Sequence, residues 1–237
     1  MRRGLICLFL LAVLAATHVA SAATPVYRDG CGTKAERKRI VVFHAPGGPK
    51  LVGMLLGRGT KGLVLTHELR ANLCRWLPFA RVLARSGYRV LLYDARDHGS
   101  SGLSSRGSGG VDRDVVAAGR FLVAHGAQKL IVMGASMGAT ASLVAAPELA
   151  PRLVGVVSLS APAQFDGMDA LAAAPAVAVP TLLVAAADDA PFAEDARTLY
   201  ESIAAPDKQL EIVPGASHGT ALVPQVRAQL LAFAAKR

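Results

Sequence analysis

Along the chain, short apolar runs alternate with stretches in which apolar residues recur every three to four positions. Ile40 to Ala45 and Leu51 to Leu56 flank Pro46-Gly47-Gly48-Pro49, a pattern that predicts a hairpin with a Gly-rich turn. Leu63 to Thr66 is a third strand-like run. From Cys74 to Ser86 the apolar positions Leu77, Ala80, Val82 and Leu83 fall at helical spacing, and Gly87 supplies a stop. The alternation then continues. Strands are predicted over Tyr88 to Tyr93, Lys129 to Met133, Leu153 to Leu159, Thr181 to Ala185 and Gln209 to Val213. Helices are predicted over Val111 to His125, Met137 to Ala146 (ended by Pro147), Phe192 to Ile203 and Thr220 to Ala235.

Several of these strands are unbroken apolar runs, as expected where both faces of a sheet are covered by helices. Strand and helix taking turns is the βαβ signature, and its crossovers are right-handed. The expected architecture is therefore α/β: a doubly wound, mostly parallel sheet flanked by helices and led by an antiparallel hairpin. With 237 residues the chain suits one domain better than two. Its 52% hydrophobic and 18% charged residues describe a globular protein with a sizeable core. No internal repeat or long low-complexity run interrupts the pattern, the nearest being the Ala-rich stretch from Ala170 to Val179.

The N-terminus changes this picture. Arg2 and Arg3, the apolar run Gly4 to Ala16 and the small-residue site Ala20-Ser21-Ala22 read as an export signal cleaved after Ala22. Residues 1–22 are thus expected to be a signal peptide, 23–39 a polar N-terminal extension and 40–237 the α/β domain. The chain is expected to be secreted or periplasmic. A retained anchor is the alternative, but the apolar run is shorter than the ~20 residues that span a bilayer. Removing the signal takes two arginines and no acid, so the net charge of +9 falls by two. A basic patch can favour acidic surfaces or nucleic acid. Here no recognition motif accompanies it, and a solvated basic surface is the expectation. Cys31 and Cys74 are the cysteines left after cleavage, and an even pair in an exported chain suggests a disulfide. Two unpaired buried thiols are the other reading.

Chemistry enters at Lys129 to Met133 running into Gly134-Ala135-Ser136-Met137-Gly138 and an Ala-rich helix. A G-x-S-x-G between strand and helix makes a sharp turn that holds the serine above the sheet's carboxyl edge. The helix that begins there points its dipole and free N–H groups at a developing oxyanion. The same pattern recurs at Gly215-Ala216-Ser217-His218-Gly219. A nucleophilic serine needs a base and an acid to orient it. Beyond His218 the chain holds no Asp, Glu or His, so the second match reads as the base loop and Ser136 as the nucleophile. For the acid, Asp188 and Asp189 both follow the Thr181 to Ala185 strand.

Gly134 to Gly138, the Asp188-Asp189 loop and Gly215 to Gly219 together resemble the α/β-hydrolase superfamily over essentially the whole mature chain. The resemblance implies a Ser136, Asp189, His218 triad. The family's acid is followed by a hydrophobic residue three positions on, which matches Asp189 with Phe192 and leaves Asp188 as the alternative. It also implies backbone oxyanion donors at Met137 and Leu69, since Thr66-His67-Glu68-Leu69 stands where the family often has His-Gly-x. Glu68 replaces that glycine. Asp94 to Ser101 is similar to the family's D-x-R-G-x-G-x-S loop, with Asp97 in place of a glycine, and His98 reads as a non-catalytic loop residue. The span between Ser160 and Pro180 is too short for a large cap. The chain thus looks like the compact, lidless members near dienelactone hydrolases, though with serine where those carry cysteine.

The expected function is a carboxylic-ester or related acyl hydrolase that works through an acyl-enzyme on a small-molecule substrate. Peptidase, thioesterase or lactonase activity would use the same residues, and a non-catalytic binding protein on the same fold is the alternative from another class. No cofactor is expected. His67-Glu68 is not a zinc motif, because Ala71 stands where H-E-x-x-H needs histidine. No nucleic-acid partner or stable membrane anchor is expected, and nothing in the sequence bears on the oligomeric state.

Overall fold

A computed structural model describes residues 27–104 and 109–237, so the expected signal peptide lies outside the described residues. The sheet strands are β1 (Ile40–His44), β2 (Lys50–Leu56), β3 (Lys61–Thr66), β4 (Arg89–Tyr93), β5 (Lys129–Ala135), β6 (Leu153–Leu159), β7 (Thr181–Ala186) and β8 (Lys208–Val213). The main helices are α1 (Leu77–Arg85), α2 (Val111–Ala124), α3 (Met137–Leu149), α4 (Phe192–Ser202) and α5 (Val223–Ala235). The strand order is β1-β2-β4-β3-β5-β6-β7-β8, and β2 alone runs against the other strands. This is the mostly parallel sheet with a leading hairpin that the alternation of runs implies.

The strands that read as unbroken apolar runs are the ones buried on both faces. Leu63, Val64 and Leu65 of β3 and Val132 and Met133 of β5 are fully buried. One core packs α1 and α5 against the sheet through Leu77, Leu83, Leu230 and Phe233. The other packs α2, α3 and α4 through Val115, Leu122, Leu143 and Leu199. α1 has an apolar stripe, whereas α3 is buried nearly all round, which explains its Ala-rich composition. The order in which strands are added reverses at β3, which β4 and β5 flank although all three run parallel. Crevices form at such a switch point, outside the strands' carboxyl ends.

The structure departs from the sequence reading in a few places. α3 runs through Pro147 to Leu149. A proline within the last turn forfeits one backbone bond without unwinding the helix. The terminator is Pro151, which drives the preceding Ala150 into extended backbone (φ −61°, ψ 147°). The stretch read as one helix from Cys74 begins as a 3₁₀ turn, Leu73–Arg75, with α1 following. α5 is likewise preceded by a 3₁₀ turn, Gly219–Leu222. Between β6 and β7 lie a small hairpin, Gln164–Phe165 with Met168–Asp169, and a one-turn helix, Ala170–Ala173. The hairpin is too short to leave a periodic signal.

Two devices tie the N-terminal segment and the loop after β4 to the body. Cys31 and Cys74 form a disulfide with Cα atoms 5.9 Å apart. Beside it, Asn72 Nδ2 donates to Asp29 Oδ1 (3.1 Å) and Ser100 Oγ donates to Asp29 Oδ2 (2.6 Å). Asp94 accepts the N–H groups of Leu73 and Ser100, each at 2.8 Å. Farther along the same loop, Arg96 meets Asp114 of α2 in a buried pair (Nη2 to Oδ1, 2.6 Å), and its own N–H also donates to that carboxylate. A charge left alone there would be costly, so the pair fixes the loop on α2.

Two predictions follow from these ties. The disulfide closes a 43-residue separation, so Cys31→Ser with Cys74→Ser is expected to lower unfolding free energy by about 2–4 kcal/mol in denaturant titration. A change below about 0.5 kcal/mol would show that it constrains little. Burial first, and then the neighbouring Asp29 carboxyl, push the Asp94 carboxyl from 3.8 up to about 8. The folded chain therefore holds a proton that the unfolded chain releases across that window, and stability falls as pH rises through it. Asp29→Asn is expected to flatten the fall in melting temperature between those pH values, and an unchanged slope would contradict the assignment.

Candidate functional site

The site is built where β5 turns into α3. Ser136 sits at that turn with φ 49° and ψ −117°, a left-handed φ that costs a non-glycine residue strain. The turn is possible because of its glycines. A Cβ on Gly134 would lie 2.0 Å from the Gly138 carbonyl oxygen, and one on Gly138 would lie 2.4 Å from the Thr66 oxygen. The second contact brings the start of α3 against the end of β3, whose Thr66 pairs with Gly134 across the sheet. Met137 and Leu69 each lie three residues beyond these paired positions. Among the described residues, neither N–H donates to a backbone carbonyl.

The loop that carries Leu69 is set by His67, which is fully buried. Its Nε2 lies 3.0 Å from the Ala95 N–H, which can only donate. Nδ1 therefore carries the hydrogen and donates to the Glu68 carbonyl at 2.7 Å. Burial pushes this imidazole down to about 4, so it stays neutral above that pH. Because the Glu68–Leu69 peptide is planar and trans, a carbonyl aimed at His67 sends the Leu69 N–H the opposite way. His98, read as a loop residue, stacks edge-on against His67 at 5.1 Å and accepts from the Arg70 N–H at 3.3 Å.

Two loops bring the acid and base positions together. Asp188 N–H donates to Gly215 O (2.9 Å) and Ala187 N–H to Val213 O (2.8 Å), which joins the loop after β7 to the one after β8. Asp189 is buried, and its Oδ2 lies 2.9 Å from His218 Nδ1, while the Asp188 side chain is exposed and makes no such contact. The Phe192 ring packs on the His218 ring with centroids 4.4 Å apart. That leaves the imidazole part-buried, with its side chain 34% exposed.

The two residues that depart from the family pattern are both accommodated. Asp97 takes φ 64°, a left-handed conformation that aspartate tolerates better than most residues. It uses its carboxylate to accept the Ser104 N–H (2.6 Å) and hydroxyl. Glu68 turns toward the histidine loop. Its Oε1 accepts from Thr220 Oγ1 at 2.6 Å and from Arg75 Nε at 3.2 Å. Ser160 Oγ accepts the Gly219 N–H at 3.2 Å on the other side of that loop. Neither Thr220 nor Ser160 stood out in the sequence, because each acts on residues far away in the chain. A cleft of about 560 Å3 borders the loop after β3, lined by Glu68, Leu69, Arg70, Arg75, Asp97 and His98 and not by Ser136 or His218. Among the described residues no cluster of three or more His, Cys, Asp or Glu could hold a metal ion. Nor, among them, is any helix long and apolar enough to cross a membrane.

Solved structures with a similar fold include an esterase from Pyrococcus furiosus (TM-score 0.74, 19% identity, covering 93% of this chain and 98% of that one). A dienelactone hydrolase from Anabaena variabilis is 25% identical, with a TM-score of 0.66 over 82% of this chain and 96% of that one. An enol-lactonase from Burkholderia xenovorans is 17% identical, with a TM-score of 0.67 over 82% of this chain and all of the other. No curated protein matches the chain. The family model for the alpha/beta hydrolase fold matches residues 41–172, more than half of the sequence. With that match, and with β5, the Ser136 turn and α3 in the order the family requires, the chain belongs to the α/β-hydrolase fold family.

Proposed function

We propose that the protein is an exported serine hydrolase that cleaves carboxylic esters through an acyl-enzyme on Ser136. One observation supports this above the others. Asp189 lies 2.9 Å from His218 Nδ1, in loops that end at the same sheet edge as the strained Ser136 turn. In this reading Asp189 keeps the Nδ1 hydrogen of His218 in place, which leaves Nε2 free to take the Ser136 proton. Ser136 Oγ attacks the ester carbonyl, and the Met137 and Leu69 N–H groups stabilise the oxyanion. His218 then returns the proton to the departing alkoxide. Water, deprotonated by the same imidazole, hydrolyses the acyl-enzyme and restores Ser136.

The short β6–β7 connection, which leaves no room for a large cap, favours small esters or the exposed end of a larger one. The neighbouring structures are an esterase, a dienelactone hydrolase and an enol-lactonase, and their names point to carboxylic esters, cyclic ones included. The disulfide fits an oxidising compartment, as the expected export signal does.

Hydrolysis of p-nitrophenyl acetate by the purified chain tests the reading. Ser136→Ala is expected to abolish turnover and labelling by a fluorophosphonate. Asp189→Asn is expected to lower kcat on the order of 10³- to 10⁴-fold, while Asp188→Asn leaves it within about threefold. A folded wild-type chain that neither takes the label nor cleaves any of a panel of esters would contradict the enzyme and favour a binding protein. Equal losses in the two aspartate variants would contradict the choice of acid.

A further inference from the structure

A carboxylate beside an oxyanion site would work against the charge that develops there, and Glu68 directly precedes the proposed donor Leu69. Glu68 is 9% exposed, and its Oε2 is buried without a partner. Burying a charged group in this way is unfavourable unless its partners compensate. Its two partners have separate uses. Arg75 belongs to the 3₁₀ turn that carries Cys74 and leads into α1. Thr220 lies two residues beyond His218, 152 residues away in sequence.

The base loop needs such a hold. The residue directly after His218 is Gly219, with φ 56°. Glycine restrains the chain less than any other residue, so a short 3₁₀ turn, with the Ala221 N–H donating to the His218 carbonyl at 3.1 Å, is a weak local restraint on the backbone around His218. It is fixed from outside on two sides, by Ser160 Oγ on the Gly219 N–H and by Glu68 on the Thr220 hydroxyl. Glu68 is also the residue whose carbonyl His67 pins, so its backbone orients the Leu69 N–H while its side chain holds the histidine loop. We infer that Glu68 is a positioning residue that locks the oxyanion-donor loop to the histidine loop through Thr220. The donor and the base are thereby set as one unit. The inference rests on the proposed role of His218. It also gives a physical reason for an acid where the resembled family carries glycine.

The test uses the full mature chain and its Glu68→Ala, Glu68→Gln, Thr220→Val and Thr220→Ser variants, with p-nitrophenyl acetate as substrate and a fluorophosphonate as probe of Ser136. Displacing a reacting group by about 1 Å costs on the order of 10²-fold. Glu68→Ala and Thr220→Val are accordingly each expected to lower kcat between about 10- and 100-fold. KM stays nearly unchanged, and Ser136 labelling slows in parallel. Thr220→Ser, which keeps the hydroxyl, recovers most of the rate. Glu68→Gln, which keeps an acceptor for it, falls between wild type and Glu68→Ala. The double variant Glu68→Ala with Thr220→Val is no slower than the worse single one, because both remove the same contact. Wild-type kcat in Thr220→Val, additive losses in the double variant, or a loss that Thr220→Ser does not recover would overturn the inference. Absence of labelling in the wild type would instead overturn the proposed function itself.

Discussion

At Ser136 the backbone turns from β5 into α3 through a conformation, φ 49° and ψ −117°, that a side-chain-bearing residue adopts only when its surroundings enforce it. What enforces it is the close approach of three segments. Gly138 lies where any Cβ would press on the carbonyls of Thr66 and His67, and Gly134 lies where a Cβ would press on Gly138 itself. These contacts bring the end of β3 and the start of α3 together, with buried strands below and a helix that is apolar nearly all round behind. The order of the strands switches between β3 and β5 at the same place, the position outside which ligands bind in open α/β sheets.

The other features of the carboxyl edge are arranged around that turn. Loops from four strands reach it, and side-chain contacts and loop-to-loop backbone bonds hold them. His67 sets the loop after β3, the Arg96–Asp114 pair sets the loop after β4, and backbone bonds join the loops after β7 and β8. Glu68 and Ser160 then grip the segment after His218 from two sides. Most of these groups are buried, where a hydrogen bond to a satisfied partner constrains geometry and a broken one is costly. A rigid edge of this kind suits the proposed chemistry, which requires a nucleophile, a base and oxyanion donors in fixed register before substrate arrives.

Much of this was legible from residue order alone. Strands buried on both faces show as unbroken apolar runs, so the alternation of β and α and the parallel sheet follow from Leu63 to Thr66, Lys129 to Met133 and their counterparts. The proposal of Ser136 over Ser217 as nucleophile rests on sequence order, since only Ser136 has acidic residues and a separate histidine after it. Both Asp188 and Asp189 follow the same strand, so the expectation of Asp189 came from the family resemblance, and the contact with His218 at 2.9 Å supports proposing it. Contacts between distant residues were not legible. Nothing near Glu68 in sequence announces Thr220, and nothing near Asp94 announces Asp29. Local signals also misled at Pro147, where a helix-breaking residue sits in a last turn that tolerates it and Pro151 ends the helix instead.

The central claim is that Ser136 carries the acyl group between two half-reactions. The most direct measurement is intact-protein mass spectrometry with peptide mapping, on the wild-type chain quenched in acid during the pre-steady-state burst with an ester that deacylates slowly. The account predicts a mass increase equal to one acyl group, confined to the peptide that contains Ser136. Ester turnover with no covalent adduct, or an adduct on any other residue, would contradict it.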